Sequence, residues 1–186
     1  MRNSLIARFW RDLRGAASIE MALALPLLTG LLLGGFEYTR FLILNQKMER
    51  TAATMADLVS QSSKVTIGQL DVLFDTADQM LAPFEIGSDG SIIITSVIGD
   101  ENGNQIIAWQ EKYGHGTDGS EIGSKGSAAS MPSGLSVGEG ENVILCEMFM
   151  TYEPIFLHSA FEDSSLYRVS AYRPRFGSLD TDPRDL

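Results

Sequence analysis

The sequence predicts an α+β chain built from a long N-terminal helix, a second helix and a small antiparallel β-sheet. Three observations carry that expectation. Residues 16–35 hold a single charge, Glu20, among Leu, Ala, Ile, Met and Gly. Apolar residues then recur at helical steps of three and four as far as Val59. Beyond residue 90 the pattern changes to short β-rich runs separated by Gly, Asn and Ser.

The first element follows from length, since crossing a hydrocarbon core takes ~20 apolar residues, which residues 16–35 supply. The leader before this run sets Arg2, Arg8, Arg11 and Arg14 against Asp12, a balance of +3 that leaves −13 for the rest of a chain with net charge −10. The positive-inside rule keeps such a flank in the cytoplasm and sends the acidic body outward. A cleaved secretory signal is the rival reading, because Ala22-Leu23-Ala24 resembles an A-x-A site. That triplet, however, sits in the middle of the apolar run with Pro26 close behind it.

Past the run, Phe41, Leu44, Met48, Ala52, Met55 and Val59 form one stripe in a stretch without Pro or Gly. A single helix is therefore expected from about residue 16 to about residue 60, roughly 65 Å long, crossing the bilayer and projecting beyond it. Pro26 is tolerable inside it, with a kink, where neighbouring groups satisfy the freed carbonyl. Thr66 and Gln69 spell a capping box ahead of a second helix with Leu70, Leu73, Phe74, Ala77 and Leu81 on one face. The runs SIIITSVIG and QIIAWQEKY flank DENGN, where Asn102-Gly103 signals a hairpin turn. Two further β-rich runs cover residues 143–152 and 165–172. Between the two pairs, residues 114–140 contain 8 glycines in 27 positions, which reads as a mobile surface loop. The expected organisation is a basic cytoplasmic leader (1–15), a transmembrane helix (16–40), an extracytoplasmic domain (41–176) and a flexible tail (177–186).

Composition excludes several functions. An acidic body without a Lys/Arg stripe repels phosphates, so nucleic acid is not expected as a partner. Cys146 is the only cysteine, which excludes an internal disulfide, a thiolate zinc site and a CxxC pair. In its apolar strand it reads as an inert buried thiol.

Glu20 needs an explanation, because a carboxylate at a helix centre in the bilayer costs ~2.5–3.5 kcal/mol on insertion scales. In Gly15-Ala-Ala-Ser-Ile-Glu20 a glycine closes the basic leader and the acid falls five residues later. This resembles a type IV prepilin cleavage site. The resemblance implies that a membrane peptidase cuts between Gly15 and Ala16 and that Glu20 pairs with the new N-terminal amine of a neighbouring subunit. Such a pair would supply the opposite charge that a buried carboxylate requires. An uncleaved anchor, with Glu20 snorkelling to the headgroups about one turn inside the run, stays open as the alternative.

The span RDLRGAASIEMALALPLLTGLLLGGFEYTR, with its early proline, resembles the N-terminus of TadE/TadF-like minor pilins, or pseudopilins, of tight-adherence (type IVc) pilus systems. ENVILCEMFMTYEPIF and YRVSAYRPRFG resemble that family's C-terminal pattern of an apolar strand with an acid, a Tyr-x-Pro step and a closing Arg-Pro-Arg. Two departures, Met21 after the glutamate and the length of 186 residues, set the chain apart from short major Flp pilins. The resemblance implies a non-enzymatic, cofactor-free component of the bacterial inner membrane, with its C-terminal domain in the periplasm. Its implied partners are a prepilin peptidase, other minor or major pilins, inner-membrane assembly proteins and membrane lipid. The alternative from another class is an uncleaved, signal-anchored periplasmic binding or sensor domain.

Other candidate sites are weaker. Gly114-His-Gly116-Thr-Asp-Gly119 matches GxGxxG but lacks the following helix that a dinucleotide fold requires. Asp100, Asn102, Asn104 and Glu111 fall at calcium-loop spacing, yet Gln105 stands where the sharp turn needs glycine, and a hairpin explains the segment more simply. His115, Asp118 and Glu121 read as solvated loop residues, and His158 as packed or exposed. Glu162-Asp163 read as a turn, and Phe156 and Phe161 as core. No nucleophile elbow, HExxH or P-loop occurs, so no catalytic residue and no metal site is assigned. Arg173-Pro174-Arg175 is either a structural end to the last strand or a basic patch near lipid or a partner.

Overall fold

The computed structural model describes residues 14–86, 90–132, 134–156 and 164–186. Helix α1 spans Arg14–Ser60 and runs unbroken through Pro26. Helix α2 spans Ile67–Leu81 and starts at the expected capping box, with the Thr66 side chain accepting from Gln69 N and the Gln69 side chain accepting from Thr66 N. Lys47 Nζ donates to the Met80 carbonyl at 2.9 Å, a cation satisfying the last turn of α2 from the neighbouring helix.

The strands are β1 (Ser91–Gly99), β2 (Gln105–Gly114), β3 (Asn142–Tyr152) and β4 (Ser164–Tyr172). They form one antiparallel sheet in the order β2-β1-β3-β4. The β1–β2 hairpin closes through Asp100, whose Oδ1 accepts from the Asn102 and Asn104 amides at 2.9 and 2.7 Å. Gly103 supplies the positive φ (79°) that the turn requires.

One core lies between helices and sheet. The α1 stripe buries Leu44, Met48, Ala52, Met55 and Val59, and α2 adds Leu70, Phe74, Ala77 and Leu81. They meet Ile92, Ile94, Trp109, Ile144, Cys146 and Met148. The other face of the sheet is covered as well. Val97, Ile107, Val143 and Leu145 pack with Ile122 and Val137, both from the glycine-rich segment read from sequence as a surface loop. That segment is fastened at several points: Ile107 N donates to Ser127 O, Ala129 N to Gln105 O, and the Lys112 ammonium to the Gly116 and Asp118 carbonyls. At Gly99 an added Cβ would lie 2.1 Å from the Gly138 carbonyl, so this crossing of strand and loop requires glycine.

A bulge decides how β2 meets both layers. Ser96 faces Trp109, but the next residue, Val97, faces Ile107, leaving Ala108 as the extra residue. Ile107 and Trp109, which alternation alone would place on one face, therefore point to opposite cores. The Trp109 indole and the Ser96 hydroxyl both donate to the Leu179 carbonyl, at 2.7 and 2.6 Å. The segment expected as a flexible tail is thus docked, with Leu179 and Asp182 buried and a short 3₁₀ turn at Pro183–Asp185.

Asp182 is held by the Lys125 ammonium and by the Arg184 amide, and these bonds keep its carboxyl below the usual 3.8. A depressed pKa in the folded state contributes stability that is complete above the unfolded value and is lost as pH falls through and below it. Protection of the amides around Leu179, taken relative to the intrinsic exchange rate at each pH, is therefore expected to be high at neutral pH and to fall selectively below about pH 4. In Asp182→Asn the protection should be low at both values, whereas acid-insensitive protection in the wild-type chain would mean that the ion pair does not hold the tail.

Candidate functional site

Two regions of α1 hold its candidate site residues. At its N-terminal end Gly15, Ala16 and Glu20 are exposed, and so are all the side chains from Gly15 to Leu32. Leu23, Leu27, Leu31 and Leu32 each expose about two thirds or more of their surface. Nothing lies within 4 Å of a Cβ added at Gly15. Among the described residues no side chain bonds or pairs with Glu20. This helix is long and apolar enough to cross a membrane.

The second region lies just past the apolar run. Glu37 is buried at 2% exposure and takes up three donors from the end of β3 and the turn after it. The Tyr152 hydroxyl donates to Glu37 Oε1 at 2.7 Å, the Ile155 amide donates to the same oxygen at 2.8 Å, and the Phe156 amide donates to Oε2 at 3.2 Å. Arg40 adds an ion pair at 3.8 Å and stacks its guanidinium over the Phe84 and Tyr152 rings. Burial, the bond to Glu37 and the carboxylate charge push the Tyr152 hydroxyl up to about 12, so it remains a donor at any physiological pH. Phe41 stands edge-on to Tyr152 at 5.4 Å, and Phe36 edge-on to Phe156 at 5.6 Å.

Further attachments continue along α1. The Arg168 guanidinium donates to Asn45 Oδ1. Arg175 Nη2 meets Asp57 at 3.1 Å, and the Arg175 amide donates to the Ser60 carbonyl at 2.9 Å, satisfying an orphan acceptor at the helix end. Arg173 pairs with Glu141 at 2.7 Å. Ser60 lies 25 residues beyond Gly35, about 37 Å along the axis, and there the closing Arg-Pro-Arg clasps the end of the helix through Arg175. The sequence blocks at the two ends of the chain are in this way one site: Tyr152, Arg168 and Arg175 grip α1 at successive levels.

Residues 15–57, which are 43 of the 186, match the family model described as TadE-like protein. This segment is similar to that family. The match begins at the glycine before the apolar run and ends at Asp57, the partner of Arg175. It suggests a role in tight-adherence pilus systems and, with the apolar helix, a membrane-anchored, single-pass protein. Comparison with curated proteins and with solved structures returns no match.

The remaining candidates resolve into structure. The Asp100 carboxylate is engaged by its own hairpin, and Glu111 pairs with Arg184 at 2.8 Å, so the calcium-spaced residues serve separate contacts. The GxGxxG segment leaves β2 as an irregular loop with no helix after it. His115 is exposed, and among the described residues no three His, Cys, Asp or Glu side chains group as metal ligands. Cys146 is fully buried, and burial together with the Glu147 charge raises its thiol pKa. Phe156, expected in the core, is 54% exposed because its backbone is anchored on Glu37 while its ring rests on Phe36 at the surface. Residues 1–13 of the leader, His158, Phe161 and Glu162-Asp163 lie outside the described residues.

Sequence reasoning missed three buried carboxylates, Glu37, Glu147 and the Asp182 of the docked tail. Glu37 had one signal, being the first charge after the apolar run. Glu147, fully buried in β3, accepts from the Ser120 hydroxyl, from the Glu121 amide at 2.9 Å and from the Tyr167 hydroxyl at 3.0 Å, tying the glycine-rich loop to the sheet. Tyr167 is raised by its burial and by that carboxylate.

Tyr152→Phe removes one hydrogen bond to a charged acceptor, so a stability loss of ~1.5–3 kcal/mol is expected in denaturant unfolding of the detergent-solubilised chain. Glu37→Ala should cost more, because it removes at once the carboxylate that accepts from the Tyr152 hydroxyl and from two part-buried amides, and should speed exchange of the Ile155 and Phe156 amides. Equal stability of Tyr152→Phe and wild type would show that the joint does not depend on this bond.

Proposed function

We propose that the chain is a minor pilin or pseudopilin of a tight-adherence system, inserted in the bacterial inner membrane with its folded domain in the periplasm. In this reading a prepilin peptidase cuts after Gly15, and Glu20 then pairs with the Ala16 ammonium of a neighbouring subunit. Its partners are the peptidase, other pilins and inner-membrane assembly proteins, and its work is packing rather than chemistry. The observation that carries this reading is the unpartnered state of α1. A TadE-like helix leaves its apolar residues 15–32 without protein cover, and its lone acid lacks a counter-charge among the described residues. Burying each exposed Leu is worth ~1.5–3 kcal/mol, which favours lipid or a bundle of like helices around the segment. Within such surroundings Glu20 requires a cation, and cleavage supplies one.

Processing is tested by mass. The mature chain extracted from native membranes should begin at Ala16, and replacing Gly15 with a bulky residue should leave the full-length chain in the membrane. Full-length wild-type protein would instead favour the uncleaved, signal-anchored domain.

Assembly is tested at Glu20. Glu20→Gln keeps shape but removes charge, so it should still be inserted and cut, while its co-purification with pilus partners falls by more than about a hundredfold, the equivalent of the ~3–5 kcal/mol lost when one member of a buried pair is removed. Wild-type recovery of partners with the variant would sink the pairing and leave Glu20 as a headgroup contact.

A further inference from the structure

The turn that Glu37 holds has an exposed apolar tip. Pro154 is buried, but the two residues after it, Ile155 and Phe156, are 50% and 54% exposed, and Phe36, on which the Phe156 ring rests, is 49% exposed. The position of this tip along α1 is fixed by its hydrogen bonds to Glu37, two residues beyond Gly35, where the apolar run ends. Twenty residues of helix span about 30 Å, the thickness of a hydrocarbon core, so Phe36 and the tip fall at the boundary between acyl chains and headgroups. Leu32, one turn before Phe36 and 71% exposed, continues the same apolar surface into the run.

We infer that Ile155 and Phe156 form a second membrane contact, a wedge seated in the acyl–headgroup boundary beside the spanning helix. This rests on the reading of α1 as a membrane span. The chemistry of the joint suits that setting. Backbone amides that enter an interface poor in water need acceptors from the protein, and Glu37 provides them for both residues of the tip. Phenylalanine is among the side chains that apolar faces bury at the boundary between headgroups and acyl chains. A helix entering the bilayer alone is free to swivel and tilt, whereas a helix and a wedge clamped to each other fix how the folded domain sits on the membrane. Continuity of the tip with the apolar run selects lipid over a second copy of the chain as its occupant.

The test places an environment-sensitive fluorophore on a cysteine in the full chain in lipid nanodiscs, using Phe156→Cys and, because that variant loses the Phe36 contact, Ile155→Cys as well. Native Cys146 is fully buried, so the introduced thiol is the reactive one, and the wild-type chain serves as the labelling blank. Leu23→Cys reports on the middle of the run, and Glu139→Cys on the exposed loop. Lipid carrying a nitroxide high on its acyl chain should quench the tip labels strongly, and aqueous iodide should reach them far less than it reaches the Glu139 label. Iodide quenching equal to that at Glu139, or protection from both quenchers as under a second copy or another protein, overturns the wedge. A Leu23 label that no lipid-borne quencher reaches overturns the spanning reading itself, so the two failures are distinct.

Discussion

A helix of 47 residues without a break has to satisfy two different surroundings, and this constraint organises everything else in the protein. Over residues 15–32 every side chain points away from the rest of the fold, so the helix is apolar all round and carries no amphipathic face. From Leu44 to Val59 it buries one stripe against a sheet and keeps the opposite face polar. Because the backbone is continuous, any tilt of the first half is passed to the second. The head domain therefore needs a joint at the changeover, and Glu37 is that joint.

A carboxylate is a costly group to bury, and here its cost is offset by a hydroxyl, two amides and a guanidinium converging on it. The geometry is directional in a way that apolar packing is not. Moving the turn along the helix by one residue would break all three hydrogen bonds at once. Arg168 on Asn45 and Arg175 on Asp57 and Ser60 repeat the device further along, so that β3, β4 and the segment after them grip α1 along most of its projecting half. This makes the joint rigid: strain arriving at the folded domain reaches the apolar segment without a loose hinge between.

The glycine-rich stretch plays a different part from the one its composition suggests. A sheet with helices on one face leaves the other to water or to a cover, and β1 and β3 carry apolar residues on both faces, including Val97, Val143 and Leu145. Ile122 and Val137 close that second face, while the buried Glu147 pins the loop by its own main chain. Glycine contributes where backbones approach, as at Gly99 against Gly138, rather than by making the segment loose.

Sequence by itself determined the elements whose physics is local. The apolar run, the 3.6-residue stripe from Leu44 to Val59, the Thr66–Gln69 box and the Asn102-Gly103 turn each depend on neighbours a few residues apart, and each stands where those neighbours put it. The match of residues 15–57 to the TadE-like family falls on the same legible segment. Tertiary structure alone decided what depends on residues far apart: that Glu37 meets a turn 118 positions later, that Trp109 and Ile107 part company across a one-residue bulge, and that the Leu179 carbonyl receives two donors and docks the tail. A buried carboxylate and an exposed one look alike in sequence, because burial is a property of what surrounds the group and hydrogen-bond partners carry no periodicity. For the same reason Phe156 reads as core from its side chain, and only the fold, by spending its backbone amide on Glu37, leaves the ring outside.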